Sequence, residues 1–232
     1  MIWDLLYPKR CAVCDGILTA KEHLCCAKCR GALPFIKQPC CYSCGKPLES
    51  ENQEYCGDCR KNQKTFYQNR ALFLYNEAIQ SAMLRFKAGN RREYAEFYGE
   101  EIAKQLGGVI KGWDVDAILP VPLHSRKLKI RGYNQAELVA EVVGRQLDIP
   151  VITECLVRSV YTKAQKQLNN IERLKNLEKA FHFCKNSVKL NKVILLDDIY
   201  TTGATLEACS RVLKTGGIEL VYGITIAAGQ GY

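Results

Sequence analysis

Eight cysteines fall in a pattern that can do chemistry. Cys11-x2-Cys14 is followed after eleven residues by Cys26-x2-Cys29, and Cys41-x2-Cys44 is followed after eleven residues by Cys56-x2-Cys59. The second set is the first shifted by 30 residues at all four positions. A Cys-x2-Cys knuckle sets two sulfurs on one side of a tight turn, and two knuckles give a tetrahedral four-thiolate site that favours Zn2+. Each unit is too short to bury a core. The metal therefore supplies the folding free energy, on the order of 10–16 kcal/mol per site in zinc peptides. The spacing allows two pairings, consecutive knuckles or interleaved ones. Cys25 and Cys40 lie outside the repeat and read as spare thiols.

A second stretch carries different chemistry. Val193-Ile194-Leu195-Leu196 reads as a strand buried on both faces. Asp197 and Asp198 follow it, then a loop with Thr201, Thr202, Gly203, Ala204 and Thr205, then a helical pattern from Leu206 to Leu213. A helix that starts here brings free backbone N–H groups and a positive dipole end to one point, which suits a phosphate. Gly203 lets the backbone approach an anion closely. The three threonines add hydroxyl donors, and paired acids suit sugar hydroxyls. Together they describe a pocket for a phosphorylated ribose. The plainer reading is a strand-to-helix turn with a threonine cap. The segment closely resembles the phosphoribosyl-pyrophosphate (PRPP) signature of type I phosphoribosyltransferases. That resemblance implies that Asp197 and Asp198 bind the ribose 2′- and 3′-hydroxyls. It assigns the 5′-phosphate to Thr201, Thr202, Gly203, Ala204 and Thr205.

Two further segments are basic. The first leaves a strand at Pro120-Val121-Pro122-Leu123-His124-Ser125 and carries Arg126, Lys127, Lys129 and Arg131. Cations beside exposed N–H groups make a diphosphate site, and the phosphoribosyltransferase resemblance places the pyrophosphate here, with Leu123, His124 and Arg126 on the PRPP side. A solvated basic loop is the other reading, and His124 could be a general acid or base or incidental. The second segment, residues 156–177, has five Lys/Arg against one Glu: Arg158, Lys163, Lys166, Arg173 and Lys175. A long polar segment of this kind reads as a lid or binding segment, or as a charged surface hairpin or helix. A lid would keep water from PRPP as it ionises.

The elements that must position these groups follow from pattern. The polar run 61–65 divides the chain into residues 1–64, the double ribbon, and residues 65–232. Residues 70–75 read as a strand, and Asn76 caps a helix that Gly89-Asn90 ends. A second helix runs from about residue 91 to 106, stopped by Gly107-Gly108. Residues 115–120 form a strand, 133–147 an amphipathic helix, 151–155 a short strand and 218–226 a last strand. The alternation predicts an α/β fold with a doubly wound, largely parallel sheet. Ligands in such sheets sit beyond the carboxyl ends of the strands, where both the acidic loop and the turn after Leu119 lie.

Charge and composition limit the partners. Ten of the thirteen cysteines precede residue 60, and nothing at the N-terminus reads as a secretory signal, so metal binding is expected rather than disulfides, in a cytosolic protein. No apolar run approaches the roughly 18 residues of a membrane span. Residues 1–64 carry ten Lys/Arg and seven Asp/Glu, and eight thiolates with two Zn2+ take that +3 to about −1. The remaining +6 of the formal +9 lies in the second region, where a polyanion belongs. Tyr133 and Tyr161 are candidates to stack bases there.

In combination, the motifs resemble the ComF competence-protein family. They are the cysteine knuckles, Lys87-Ala88-Gly89, Pro120-Val121-Pro122-Leu123-His124, Arg131-Gly132-Tyr133-Asn134-Gln135, Gln165-x2-Leu168 with Glu172-Arg173-x2-Asn176, and the Asp-Asp-x2-Thr-Thr-Gly-Ala-Thr loop. The resemblance implies a type I phosphoribosyltransferase-like domain behind a double zinc ribbon. It also implies PRPP with Mg2+, single-stranded DNA and a competence helicase as partners, at the cytosolic side of the membrane during natural transformation. An active phosphoribosyltransferase that releases pyrophosphate is the alternative, although no stretch reads as a nucleobase pocket.

Overall fold

The computed structural model describes residues 8–159, 176–184 and 189–230. The candidate lid residues Lys163, Lys166, Arg173 and Lys175, and Tyr161, lie outside the described residues. The centre is a four-stranded parallel sheet in the order β1-β6-β5-β2, built from β1 (Gln68–Leu74), β2 (Ala117–Pro120), β5 (Lys192–Tyr200) and β6 (Leu220–Ala228). A bridge from Ile118 to Val151 extends it past β2, where the Ile152 N–H donates to the Ile118 carbonyl at 3.0 Å. The expected strand at 151–155 is reduced to this bridge. The chain then forms a separate antiparallel hairpin of β3 (Leu156–Arg158) and β4 (Phe181–Phe183).

Strand alternation divides the core into two layers. Along β5, Ile194 and Leu196 point to one core with α3 (Glu77–Ala88), α4 (Tyr94–Trp113) and α6 (Gln135–Leu147). Val193 and Leu195 point to the other, with α7 (Ala204–Thr215) and the hairpin. Caps fix the helix starts: Asn76 Oδ1 accepts from the Ile79 N–H at 3.0 Å, and Asn134 Oδ1 accepts from the Ala136 N–H at 3.2 Å. Gly107-Gly108 does not stop α4, which runs on to Trp113. Each helical glycine costs about 1 kcal/mol against alanine, but burial of Ile110 and Trp113 beyond the pair outweighs that. Gly107 also leaves room for Leu147, whose Cδ2 would stand 3.2 Å from a Cβ there.

The ribbons, which carry the short helices α1 (Ala27–Gly31) and α2 (Gly57–Lys61), straddle the β1 edge. Cys11, Ala12, Val13 and Cys25 of the first ribbon belong to the α3–α4 core, and Cys41, Cys44, Cys56 and Cys59 of the second belong to the α7 core. The segment joining them runs along β1. The Ile36 N–H donates to Leu72 at 3.0 Å, and the Leu74 N–H donates to Pro34 at 2.8 Å. That cover satisfies an edge that would otherwise template association.

Candidate functional site

The 30-residue repeat holds in the hydrogen bonds of the backbone N–H groups. The Cys26 N–H donates to Cys11 Sγ at 3.4 Å and the Cys56 N–H to Cys41 Sγ at 3.3 Å. The Ala12 N–H reaches the Leu24 carbonyl at 2.9 Å, and the Tyr42 N–H reaches Glu54 at 2.7 Å. The turns of the knuckles place Asp15 at φ 64° in one ribbon and Gly45 at φ 74° in the other. The residue types differ because their neighbours do. A Cβ on Gly45 would lie 2.6 Å from the Asn69 carbonyl of β1, whereas Asp15 faces Arg91, with Nε to Oδ1 at 3.2 Å.

The geometry selects the consecutive pairing. Cys11, Cys14, Cys26 and Cys29 form one group and Cys41, Cys44, Cys56 and Cys59 another, with all sulfurs of a group within 4.8 Å of one another. Cys14 and Cys26 Sγ are 3.8 Å apart and Cys44 and Cys56 Sγ 3.6 Å. A tetrahedron with Zn–S bonds of about 2.3 Å has edges of about 3.8 Å, so both donor sets fit Zn2+. Burial opposes the Cys11 thiolate, but N–H groups of Cys14, Cys26 and Val13 bring it down to about 6. Hydrogen bonds from the Cys44 and Cys59 thiols hold Cys41 far below the usual thiol range. Cys25 lies outside the first set with its Sγ 3.9 Å from that of Cys11.

At the carboxyl end of β5 the two acids part company. Strand alternation turns Asp198 toward α3, where Lys87 Nζ meets its Oδ2 at 2.6 Å. Asp197 turns toward α7, near Cys209 and Arg158. Burial first, then the charge of Asp198, raises the Asp197 carboxyl to about 7, against the Asp198 N–H, which donates to its Oδ1 at 2.8 Å. Gly203 adopts φ 76°, ψ 3° and opens α7 with no side-chain cap. A Cβ there would come within 2.2 Å of the Tyr200 hydroxyl. Thr201 and Thr202 are exposed, and Ala204 and Thr205 half-buried, around this uncapped helix start.

The basic loop of the sequence reading is partly a helix, α5 (Ser125–Arg131). His124 caps it, its Nδ1 accepting from the Arg126 N–H at 3.1 Å. The helix sorts the cations: Lys127 and Arg131, one turn apart, are half-buried, while Arg126 and Lys129 are exposed, and Leu123 is half-buried before them. Burial, then the charges of Arg158 and Arg131, push the Lys127 ammonium down, while Asp198 opposes them. Lys87, Lys127 and Arg158 thus converge on the two aspartates, and Arg131 stands beside Lys127 with its Nη1 on Gln135 Oε1 at 2.9 Å. Tyr133 stacks on nothing outside: it is buried, its hydroxyl donates to the Phe86 carbonyl, and Arg92 lies 5.1 Å over its ring. Sequence reasoning named Lys87 only within a motif. A lysine in a last helical turn reads as a dipole partner, and only the topology brings it to Asp198.

A double ribbon with four cysteines in each half, built into an α/β parallel sheet, is the class that these features define. Residues 2–60 match the family described as "Double zinc ribbon domain". Competence protein F of Haemophilus influenzae is 40% identical over 106 residues, covering 45% of this chain and 46% of the relative. Competence protein ComFC of Bacillus subtilis is 31% identical over 150 residues, covering 65% and 59%. DNA utilization protein YhgH of Escherichia coli O157:H7 is 31% identical over 106 residues, covering 46% of each. The matches thus span about half the length of these curated relatives. A hypoxanthine phosphoribosyltransferase from Staphylococcus aureus superposes with a TM-score of 0.37 at 15% identity, over 57% of this chain and 64% of the other. Over these stretches the chain is similar in sequence to the ComF and ComFC competence proteins. No helix among the described residues is long and apolar enough to cross a membrane.

Proposed function

We propose that this protein binds PRPP with Mg2+ at the β5–α7 loop and single-stranded DNA at the adjoining basic surface, in the handling of DNA taken up during natural transformation. One observation carries the reading: two carboxylates, an uncapped helix N-terminus behind a left-handed glycine, and three converging cations, Lys87, Lys127 and Arg158, share one sheet edge. Asp197 and Asp198 take the ribose hydroxyls. The N–H groups and hydroxyls of residues 201–205 take the 5′-phosphate. Lys87, Lys127, Arg131 and Arg158, with Mg2+, offset the diphosphate charge. Arg126 and Lys129, exposed on α5, face solvent where a strand's phosphates can reach them. The competence helicase and recruitment to the inner face of the membrane belong to the same reading, whose competence context alone is supported by the names of the relatives. Domain limits at 1–64 and 65–232 are part of it too.

Calorimetric titration of PRPP tests the site, with Mg2+ omitted rather than chelated so that zinc stays in place. Binding should require Mg2+, and Asp198→Ala should weaken it by about 1.5–3 kcal/mol, the range for a charged hydrogen bond. Unchanged affinity in that variant refutes the assignment. For DNA, log affinity should fall with log salt by roughly 0.7 per phosphate contacted. Charge reversal at Lys127 and Lys129 should lower both affinity and slope, and PRPP should compete.

A further inference from the structure

Burial of Tyr133 leaves the single-strand reading without a described base-stacking group near the basic helix. The exposed aromatics lie elsewhere. Tyr42, Tyr55 and Tyr67, at 44%, 37% and 49% exposure, are the large aromatic side chains that stand out from the surface among the described residues, and all three are neighbours. The Tyr42 ring lies 6.1 Å from Tyr55 and 6.3 Å from Tyr67, and the Tyr42 and Tyr67 hydroxyls are 3.2 Å apart. Scattered exposed aromatics are ordinary, but a contiguous cluster marks an interaction site.

We propose that Tyr42, Tyr55 and Tyr67 form a base-stacking platform for single-stranded DNA, on the second ribbon and at the sheet edge opposite the Asp197–Asp198 loop. The inference rests on the single-strand part of the function proposed above and gives it a second surface. Three observations support that occupant. The platform is held from beneath: the Tyr67 ring packs 5.5 Å from Tyr222, which stacks 4.6 Å from Trp113, and both of these are buried. The Tyr67 N–H is fixed to the Val221 carbonyl at 2.8 Å, and the Tyr42 N–H to Glu54 at 2.7 Å. Rings held this way lose little freedom when a ligand arrives.

Although the zinc-loaded ribbons are near neutral overall, two guanidinium groups lie beside the rings. Arg60 Nε donates to the Tyr55 carbonyl at 3.3 Å and Arg70 Nη1 to the Tyr42 carbonyl at 3.1 Å. Arg60 is exposed and within reach of a phosphate beside the rings, whereas Arg70 is half-buried and also donates to the Asn69 carbonyl at 3.0 Å. The mutual ring angles of 67° and 72° favour a single strand. A strand crossing the patch must turn each base separately onto its ring, which a stacked duplex cannot do.

Fluorescence anisotropy with labelled oligo(dT) and an abasic strand of equal length tests the proposal on the full chain. Phosphate contacts treat the two strands alike, whereas stacking needs the bases. Wild type should prefer oligo(dT), and Tyr42→Ala with Tyr67→Ala should reduce that preference on the order of tenfold per stacked base lost. Tyr42→Phe with Tyr67→Phe should retain it, and each variant should keep two zinc ions per chain. A double alanine variant with the wild-type ratio overturns the platform. So does one that lowers binding of both strands equally, since that outcome marks a structural or protein-facing patch. Charge reversal at Lys127 and Lys129 should weaken both strands and leave the ratio unchanged. If it abolishes binding while the tyrosine variants have no effect, the platform alone fails. If wild type binds neither strand, the single-strand reading fails with it, and the PRPP titration still stands as the separate test of the loop.

Discussion

Asp197 and Asp198 are adjacent in sequence, yet β5 turns them into opposite cores. Asp198 keeps an ammonium partner at 2.6 Å in Lys87. Asp197 is raised to about 7, chiefly by burial and then by Asp198. An acid that binds its proton more tightly when folded favours the native state most below its unfolded value, near pH 4, and that contribution is lost as pH rises through about 7. Asp197→Asn keeps the shape and removes the charge. Its stability advantage over wild type should therefore be larger at pH 8 than at pH 5.5, by on the order of 1–2 kcal/mol after allowance for solvent. Urea midpoints at the two pH values measure it, and equal gaps would refute the picture. The acidic pair and its loop were legible in the sequence because apolar strand, acids, threonines and glycine are contiguous. Lys87 was not, because 111 residues of separation from Asp198 are closed only by the sheet.

Among the elements, the loop between β5 and α7 depends on Gly203 for two independent reasons. Its φ of 76° is costly for a side chain, and the space for a Cβ is filled by Tyr200. Gly203→Ala should cost about 2–4 kcal/mol, the sum of a left-handed penalty and overpacking. In a Tyr200→Ala background the overpacking part should vanish and leave about 1–2 kcal/mol. Additive costs in denaturation of the single and double variants would exclude the clash. Element types were readable where the apolar period was clear, as for α3 behind its expected cap Asn76 and for the amphipathic α6. They were misread where packing overrode local signals. Gly107-Gly108 looked like a stop, and the segment 125–131 looked like a loop because its helical pattern has no buried apolar face.

The whole molecule is organised by ribbons that enter both layers of the core, and this could not be read from a repeat whose two copies look alike. The divergence lies in what each copy touches. Arg30 of the first ribbon meets the buried Glu101 of α4 at 2.7 Å, and just beyond the second, Thr65 donates to Glu207 of α7 through its N–H at 2.8 Å and its Oγ1 at 2.6 Å. Purified protein should contain two zinc ions, and their removal should destabilise the entire chain rather than melt a separate module. Calorimetry should show one transition that shifts down as metal is stripped. An unshifted main transition would mean that the ribbons are accessories.

Tyr200 connects these levels. Its ring stands 6.3 Å from Phe66 and 5.9 Å from Lys46 Nζ of the second ribbon, within reach of the charges of Cys44 and Cys59, and its hydroxyl fills the space under Gly203. One side chain thus bears on the metal cluster and on the loop proposed to hold a phosphate. Linkage makes any such coupling reciprocal. If zinc tightens the loop around its ligand by some factor, that ligand must tighten zinc by the same factor. Saturating PRPP should then slow the loss of the second zinc to a chromophoric chelator while leaving the first, on the far face of the sheet, at its original rate. The cell's metal supply and its supply of activated ribose would meet as a single variable at this tyrosine.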